Sequence, residues 1–204
     1  MLAVSDAGYA EMASRYDALM AEAERNAVWW AWYTSHGLDP RPLYFHLSRY
    51  NWPPGRPLLR RPWRIAGGRV LHAVDSAGHP LLSREATRVG EHPLSYDDTF
   101  FRDLSDGKEI LHFSYRGHEP VYYERLYHAS GRPAASVTTA RHGRTVRRFH
   151  YDTHGRLAEV VHDHGPEREP VGPWSKLVIS YDQAGDVREV WQEWQAGGRE
   201  REYP

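Results

Sequence analysis

From Tyr9 to Trp30 the apolar residues return at steps of three and four: Tyr9, Met12, Ala13, Tyr16, Leu19, Met20, Ala23, Ala27 and Trp30. That spacing predicts a helix with one apolar stripe. Ser5 is placed to cap its start and Gly37 to end it after Tyr33 to His36, so WWAWY (Trp29 to Tyr33) falls in its last turns. Asp39 followed by Pro40 is a second start signal, and Leu43, Leu47 and Tyr50 would share a face of a short second helix. NWPPGRP, residues 51–57, then forms a rigid loop.

From about Leu58 the period changes from helical to alternating. ILHFSY places Leu111, Phe113 and Tyr115 on one face, and KLVISY does the same with Leu177, Ile179 and Tyr181. DSAGHP, YRGHEP, HASGRP, ARHGRT, DTHGRL and DQAGDV supply turns, and no interval between them is long enough for a crossover helix. The pattern predicts antiparallel pairing through hairpins, in about eight to eleven strands. The expected fold is α+β, mainly β: an N-terminal helix (or two) packed on a long, twisted antiparallel β-meander. Residues 1–56 would be the helical segment with its Pro/Arg loop, and 57–204 the sheet domain, together one compact unit.

One motif recurs. Tyr151, Asp152, Gly155, Arg156 and Leu157 sit in the order Y-D-x-x-G-R-L, with Gly165 after seven further residues. Tyr181, Asp182 and Gly185 begin a looser copy in which Asp186 and Val187 replace Arg-Leu; Tyr127 to Pro133 and Val74 to Gly78 are fainter ones. The pattern resembles the YD repeats of rearrangement-hotspot (RHS) proteins, teneurins and wall-associated toxins. Its residues read as hairpin parts: Asp152 accepts the turn's own N–H groups, and Gly155 takes the left-handed conformation that reverses the chain. Tyr151 would lay its ring on the sheet with its hydroxyl in water, and Leu157 and Val161 would start the return strand on a common face. The resemblance implies an antiparallel sheet. The shell that large relatives build around a toxin does not carry over to so few strands.

Composition narrows the function classes. No cysteine is present, which removes disulfides and thiolate chemistry. No apolar run is long enough to span a membrane, and the N-terminus does not read as a signal peptide, so the cytoplasm is the expected compartment. The net charge of -1 hides a segment, Arg41 to His72, with seven arginines and no carboxylate. Its part from Arg56 to Arg69, with Trp63, could contact nucleic acid or another anion, although the neutral overall charge gives no global basic field. The favoured reading is a strap that pairs with Asp17, Glu22 and Glu24 of the first helix, with Trp52 and Trp63 wrapping the WWAWY rings. The alternative is that some of those rings form an exposed patch.

His162 and His164, with His150 on the partner strand, are weak candidates for a metal-dependent enzyme, since a hydrolytic centre needs about three protein ligands. The bland reading is solvated histidines near a turn. Familiar catalytic constellations are missing, and Asp97 and Asp98, as neighbours on a strand, point to opposite faces. The expectation is therefore a non-catalytic protein-binding module without cofactor. Tyr122, Tyr123, Arg125, Trp191 and Trp194 supply the side chains enriched at binding hot spots. The YD resemblance points to an immunity protein whose partner is a toxin domain.

Overall fold

The computed structural model describes residues 7–43, 54–60, 65, 67–87, 95–141, 143–165 and 174–203. Among these residues two helices, α1 (Ala7–Ala10) and α2 (Met12–Asn26), precede twelve strands. These are β1 (Trp29–Tyr33), β2 (Val70–Val74), β3 (Pro80–Thr87), β4 (Ser95–Leu104), β5 (Gly107–Phe113) and β6 (Pro120–Ala129), followed by β7 (Arg132–Ala140), β8 (Gly143–Tyr151), β9 (Leu157–Gly165), β10 (Trp174–Tyr181), β11 (Val187–Trp194) and β12 (Arg199–Tyr203). They form one antiparallel sheet whose strand order is the sequence order. The α+β, mainly β meander is as the alternation predicts.

The helix is shorter than its apolar spacing suggests. Met12, Tyr16, Leu19 and Ala23 are buried, but the chain leaves the helix at Asn26 and Ala27 is already extended. WWAWY is a strand, not the last helical turns. Aromatic residues suit a pleated surface, and Trp29 to Tyr33 pair residue for residue with Val74 to Val70. This strand lies before Leu58, outside the segment in which the eight to eleven strands were expected, and β12 in the charged tail adds a further one. Of the second helix, Asp39 to Leu43 are not helical, with a turn at Pro42 and Leu43, and Leu47 and Tyr50 lie outside the described residues. Ser5, Trp52 and Trp63 also lie outside them.

The chain divides into two compact units, Met1–Pro40 with Pro54–Glu124, and Arg41–Pro53 with Arg125–Pro204. In the first, α2 covers a sheet face on which Ala73, Leu82, Phe100, Leu111, Phe113 and Tyr123 form the core with Met12, Tyr16, Leu19 and Ala23. Tyr16 meets Phe100 and Phe113 edge-on and stacks on His118 at 3.8 Å.

Charge fixes the same helix. Arg84 grips Asp98 through two hydrogen bonds of 2.7 and 2.9 Å, and the Tyr16 hydroxyl donates to Asp98 at 2.5 Å. Arg15 holds Glu109 with both terminal guanidinium nitrogens, at 3.0 and 2.6 Å. Glu22 meets Arg102 of β4 at 3.2 Å, Asp17 and Glu24 are exposed, and Arg61 and Arg64 of the expected strap lie outside the described residues. In the second unit Leu126, Phe149, Leu157, Val160, Leu177, Ile179 and Val190 make a separate core, with Leu43, Tyr151, Tyr181 and Val187 packed against it.

On the other face of the first unit's sheet, His72 pairs with Ser83 and Thr99 with His112, at 2.7 and 2.8 Å. His72 is fully buried, with the Tyr33 ring edge-on at 4.7 Å and the Gly37 N–H on its Nε2. Residues 54–58 run beside 32–36, linked by Thr34 N to Arg56 O, Gly55 N to His36 O and Leu58 N to Trp32 O. Close backbone approach fixes the glycine here, since a Cβ on Gly55 would lie 2.2 Å from the Ser35 carbonyl oxygen.

Candidate binding face

The second unit is built from the recurrent turn. At Asp152 the backbone closes through Asp152 N to Arg156 O (2.8 Å) and Gly155 N to Asp152 O (3.0 Å), and Asp152 Oδ1 accepts from His154 and Arg156 N–H. Gly155 has φ 78°, which a side chain would strain. Asp75 and Asp182 repeat the arrangement, each accepting from residues two and four further on. The faint copy at Tyr127 differs: Ser130 and Gly131, both with positive φ, make a two-residue turn.

Arginine links successive copies. Arg132 lies 4.6 Å over the Tyr151 ring and Arg156 4.6 Å over Tyr181. Tyr151 does not leave its hydroxyl in water but donates to the Pro133 carbonyl at 2.7 Å, and Tyr181 donates to Leu157 O at 2.8 Å. In the last copy Asp186 stands where Arg156 stands in the preceding one. Replacing Arg156 with lysine keeps the charge and loses the planar stack. It should cost about 0.5–1 kcal/mol in chemical denaturation, and an unchanged midpoint would show that the stack is idle.

Each such turn also inserts one residue in the return strand. Tyr151 pairs with Leu157, yet His150 pairs with Glu159, so Ala158 is extra. The bulge reverses the alternation beyond it. Leu157 and Val160 are core, whereas Val161 stands on the other face opposite Arg148, so the expected common face of Leu157 and Val161 does not form. For the same reason His150 stands with Glu159, Val161 and Asp163, while His162 is opposite Arg147 on the other face. His150 and His162 therefore do not converge, and the His164 side chain lies outside the described residues. Among the described residues no group of three or more metal-ligating side chains occurs. Gly165 is the last residue of β9, opposite Arg144.

The face carrying His150 is the solvated one. The registers align two rows across five strands: Arg148, Val161, Lys176, Glu193, Arg199, and beside it His150, Glu159, Val178, Trp191, Arg201. Lys176 bridges Glu159 and Glu193 at 3.3 and 3.5 Å; Arg199 meets Glu193, and Arg201 meets Glu189 at 2.8 Å. Arg148 pairs with Asp163. Trp191 is held on this lattice, with Arg199 4.4 Å and Arg201 5.8 Å from its ring and its indole N–H donating to Glu189 at 3.2 Å. Exposed ion pairs contribute little stability singly. Their use here is to fix a flat ring and two guanidinium groups in one arrangement.

The other predicted binding residues are dispersed. Trp194 stands opposite Ser175, on the face away from Trp191, and is 37% exposed. Arg125 lies over Tyr127. In the first unit Tyr122 stacks on His112 at 4.9 Å, and Tyr123 is a buried core residue. Of the arginine segment, Arg49, Arg61 and Arg64 lie outside the described residues, and Arg60 is exposed. Arg199 and Arg201 were not legible as site residues, because their contact with Trp191 depends on how the last hairpin is registered.

No helix among the described residues is long and apolar enough to cross a membrane. No family model and no curated protein matches the chain.

Proposed function

We propose that the chain is a non-catalytic protein-binding module, and specifically an immunity protein that neutralises a cognate polymorphic toxin. The observation that carries the binding reading is Trp191 packed against two arginines of the neighbouring strand on the more exposed sheet face. Tryptophan and arginine dominate interface hot spots because they bring large, rigid contact area and planar hydrogen bonding. A ring already immobilised by Glu189, Arg199 and Arg201 loses little further freedom on binding. The toxin as partner rests on the Y-D-x-x-G-R-L resemblance, an analogy of sequence rather than of site.

Co-expression with the toxin encoded beside its gene tests the proposal. The intact chain should restore growth, and Trp191→Ala should weaken the complex by about 2 kcal/mol or more, roughly 30-fold in Kd. The melting temperature of the variant checks that the sheet is intact. A neighbouring gene product that is harmless alone would overturn the immunity reading. Undiminished binding by folded Trp191→Ala would overturn the site.

A further inference from the structure

We infer that β12 takes up one more strand: an extended, acidic segment of a partner protein that pairs along its outer edge and lays its carboxylates on Arg199 and Arg201. The inference rests on the protein-binding reading of the Trp191 face and names what the partner brings to it. Among the described residues β12 is the last strand of the sheet and pairs only with β11, and Arg199, Glu200 and Arg201 are all exposed. The hairpin fixes which backbone groups face outward. Trp194 N donates to Gly198 O at 3.4 Å, so these two residues bond across the ladder. Such bonds alternate along an antiparallel pair, so Glu200 bonds inward to Gln192 while Arg199 and Arg201 turn N–H and C=O outward. The same two residues carry the guanidinium groups at Trp191. Each meets a carboxylate one strand further in, Glu193 and Glu189, yet their side chains stay about half exposed, at 52% and 47%.

Outward backbone groups on an edge are a template for another strand, and a second copy of this chain is poorly suited to supply it. Two copies joined edge to edge in an antiparallel sheet keep the same face up. Arg199 then meets a second Arg201, and Glu200 a second Glu200. Like charges directly opposite each other are destabilising. Parallel pairing matches unlike charges, but its bonds are slanted and weaker, and it turns the two Trp191 faces opposite ways. A different protein with acidic residues at alternate positions meets none of these conflicts. Its carboxylates fall over Arg199 and Arg201, where a guanidinium fork grips them with two bonds. Its intervening side chains fall on the face of Glu200. Val190 pairs with Tyr203 whereas Trp191 pairs with Arg201, so Glu202 is an extra residue and the regular edge ends at Arg201. The added ladder is therefore short, and Trp191, beside Arg201 on the same face, supplies apolar area next to it.

Titrating the full chain with a synthetic peptide in which glutamate alternates with threonine tests it, by calorimetry and by amide hydrogen exchange. The peptide should bind saturably and protect the Arg199 and Arg201 amides. Lysine in place of glutamate should weaken binding about tenfold or more, and Arg199→Glu combined with Arg201→Glu should reverse the preference. Where that double variant does not fold, N-methylation of the peptide decides: methylating one alternate set of amides should abolish binding, and methylating the other should leave it intact. The inference fails if the glutamate peptide does not bind saturably, or if both methylated peptides bind alike. It fails equally if the chain alone is a dimer with Arg199 and Arg201 already protected. Its failure is distinct from that of the proposed function. Loss of toxin binding in Trp191→Ala without any peptide binding keeps the face and removes the strand. A harmless neighbouring gene product with peptide binding intact keeps the strand and removes the toxin.

Discussion

Replacing Asp98 with alanine should destabilise the protein by about 3–5 kcal/mol, the effect expected when one partner of a buried ion pair is removed. Asp98 is 1% exposed and holds two groups at once, Arg84 through a two-bond grip and Tyr16 through its hydroxyl. Burial, then the hydrogen bond to Asp98, pushes the Tyr16 phenol well above its usual range, so it remains a donor throughout the working pH. Loss of the carboxylate leaves a half-buried guanidinium and a buried hydroxyl facing an apolar gap. It also releases the point where α2 meets β4. The measurement is the denaturant midpoint, converted through the slope of the transition. Two comparisons separate charge from packing. Tyr16→Phe keeps the ring contacts with Phe100 and Phe113 and removes the hydroxyl's bond to Asp98 and a long one of 3.4 Å from Arg84, so it should cost only about 1 kcal/mol. Asp98→Leu combined with Arg84→Met replaces the pair by apolar volume and should recover much of the loss. A single Asp98→Ala variant within about 1 kcal/mol of the parent would mean that Arg84 finds water, not a desolvated site.

How much of this was readable depends on distance along the chain. KLVISY and ILHFSY announce their strands because alternation is local, and Leu177, Ile179, Leu111 and Phe113 are core as that alternation requires. Met12, Tyr16, Leu19 and Ala23 likewise mark the buried stripe of α2. WWAWY misleads because Ala27 and Trp30 continue the helical steps, whereas its strand state is decided by VLHAV some forty residues later. No window around Trp30 contains that information. The His-rich end of β9 fails differently. HDH is conspicuous, but which partners it meets turns on a single extra residue, Ala158, that exchanges the faces of His150 and its neighbours. Trp191 was legible by residue type. Its two arginines become neighbours only through the register of the last hairpin.

Acidification should cost stability earlier than carboxylate titration alone predicts, because of His72. This imidazole is fully buried, with Nδ1 2.7 Å from Ser83 Oγ and Nε2 accepting from Gly37 N–H at 3.3 Å. A ring nitrogen that accepts from a backbone N–H carries no proton, so Nδ1–H donates to Ser83. That tautomer makes the pair a latch for the backbone at Gly37 and unfits it to activate the serine. Burial, reinforced by nearby His36, lowers the His72 pKa to about 3 from an ordinary 6.5. The unfolded chain therefore takes up a proton below pH 6.5 that the folded chain refuses. Stability is complete above that value and falls as pH drops toward about 3, by about 1.4 kcal/mol per pH unit. At pH 4.5 the loss is about 2–3 kcal/mol. Glu109, held below its ordinary 4.5 because the Arg15 and Arg102 hydrogen bonds outweigh burial, begins to contribute only at lower pH. Denaturation of the parent and of His72→Gln at pH 7.5, 6, 5 and 4.5 isolates the effect. The variant should be weaker at pH 7.5 yet lose about one proton's slope less on acidification, narrowing the gap between the two as pH falls. Parallel curves would show that His72 charges in place and that the contact with Gly37 tolerates it.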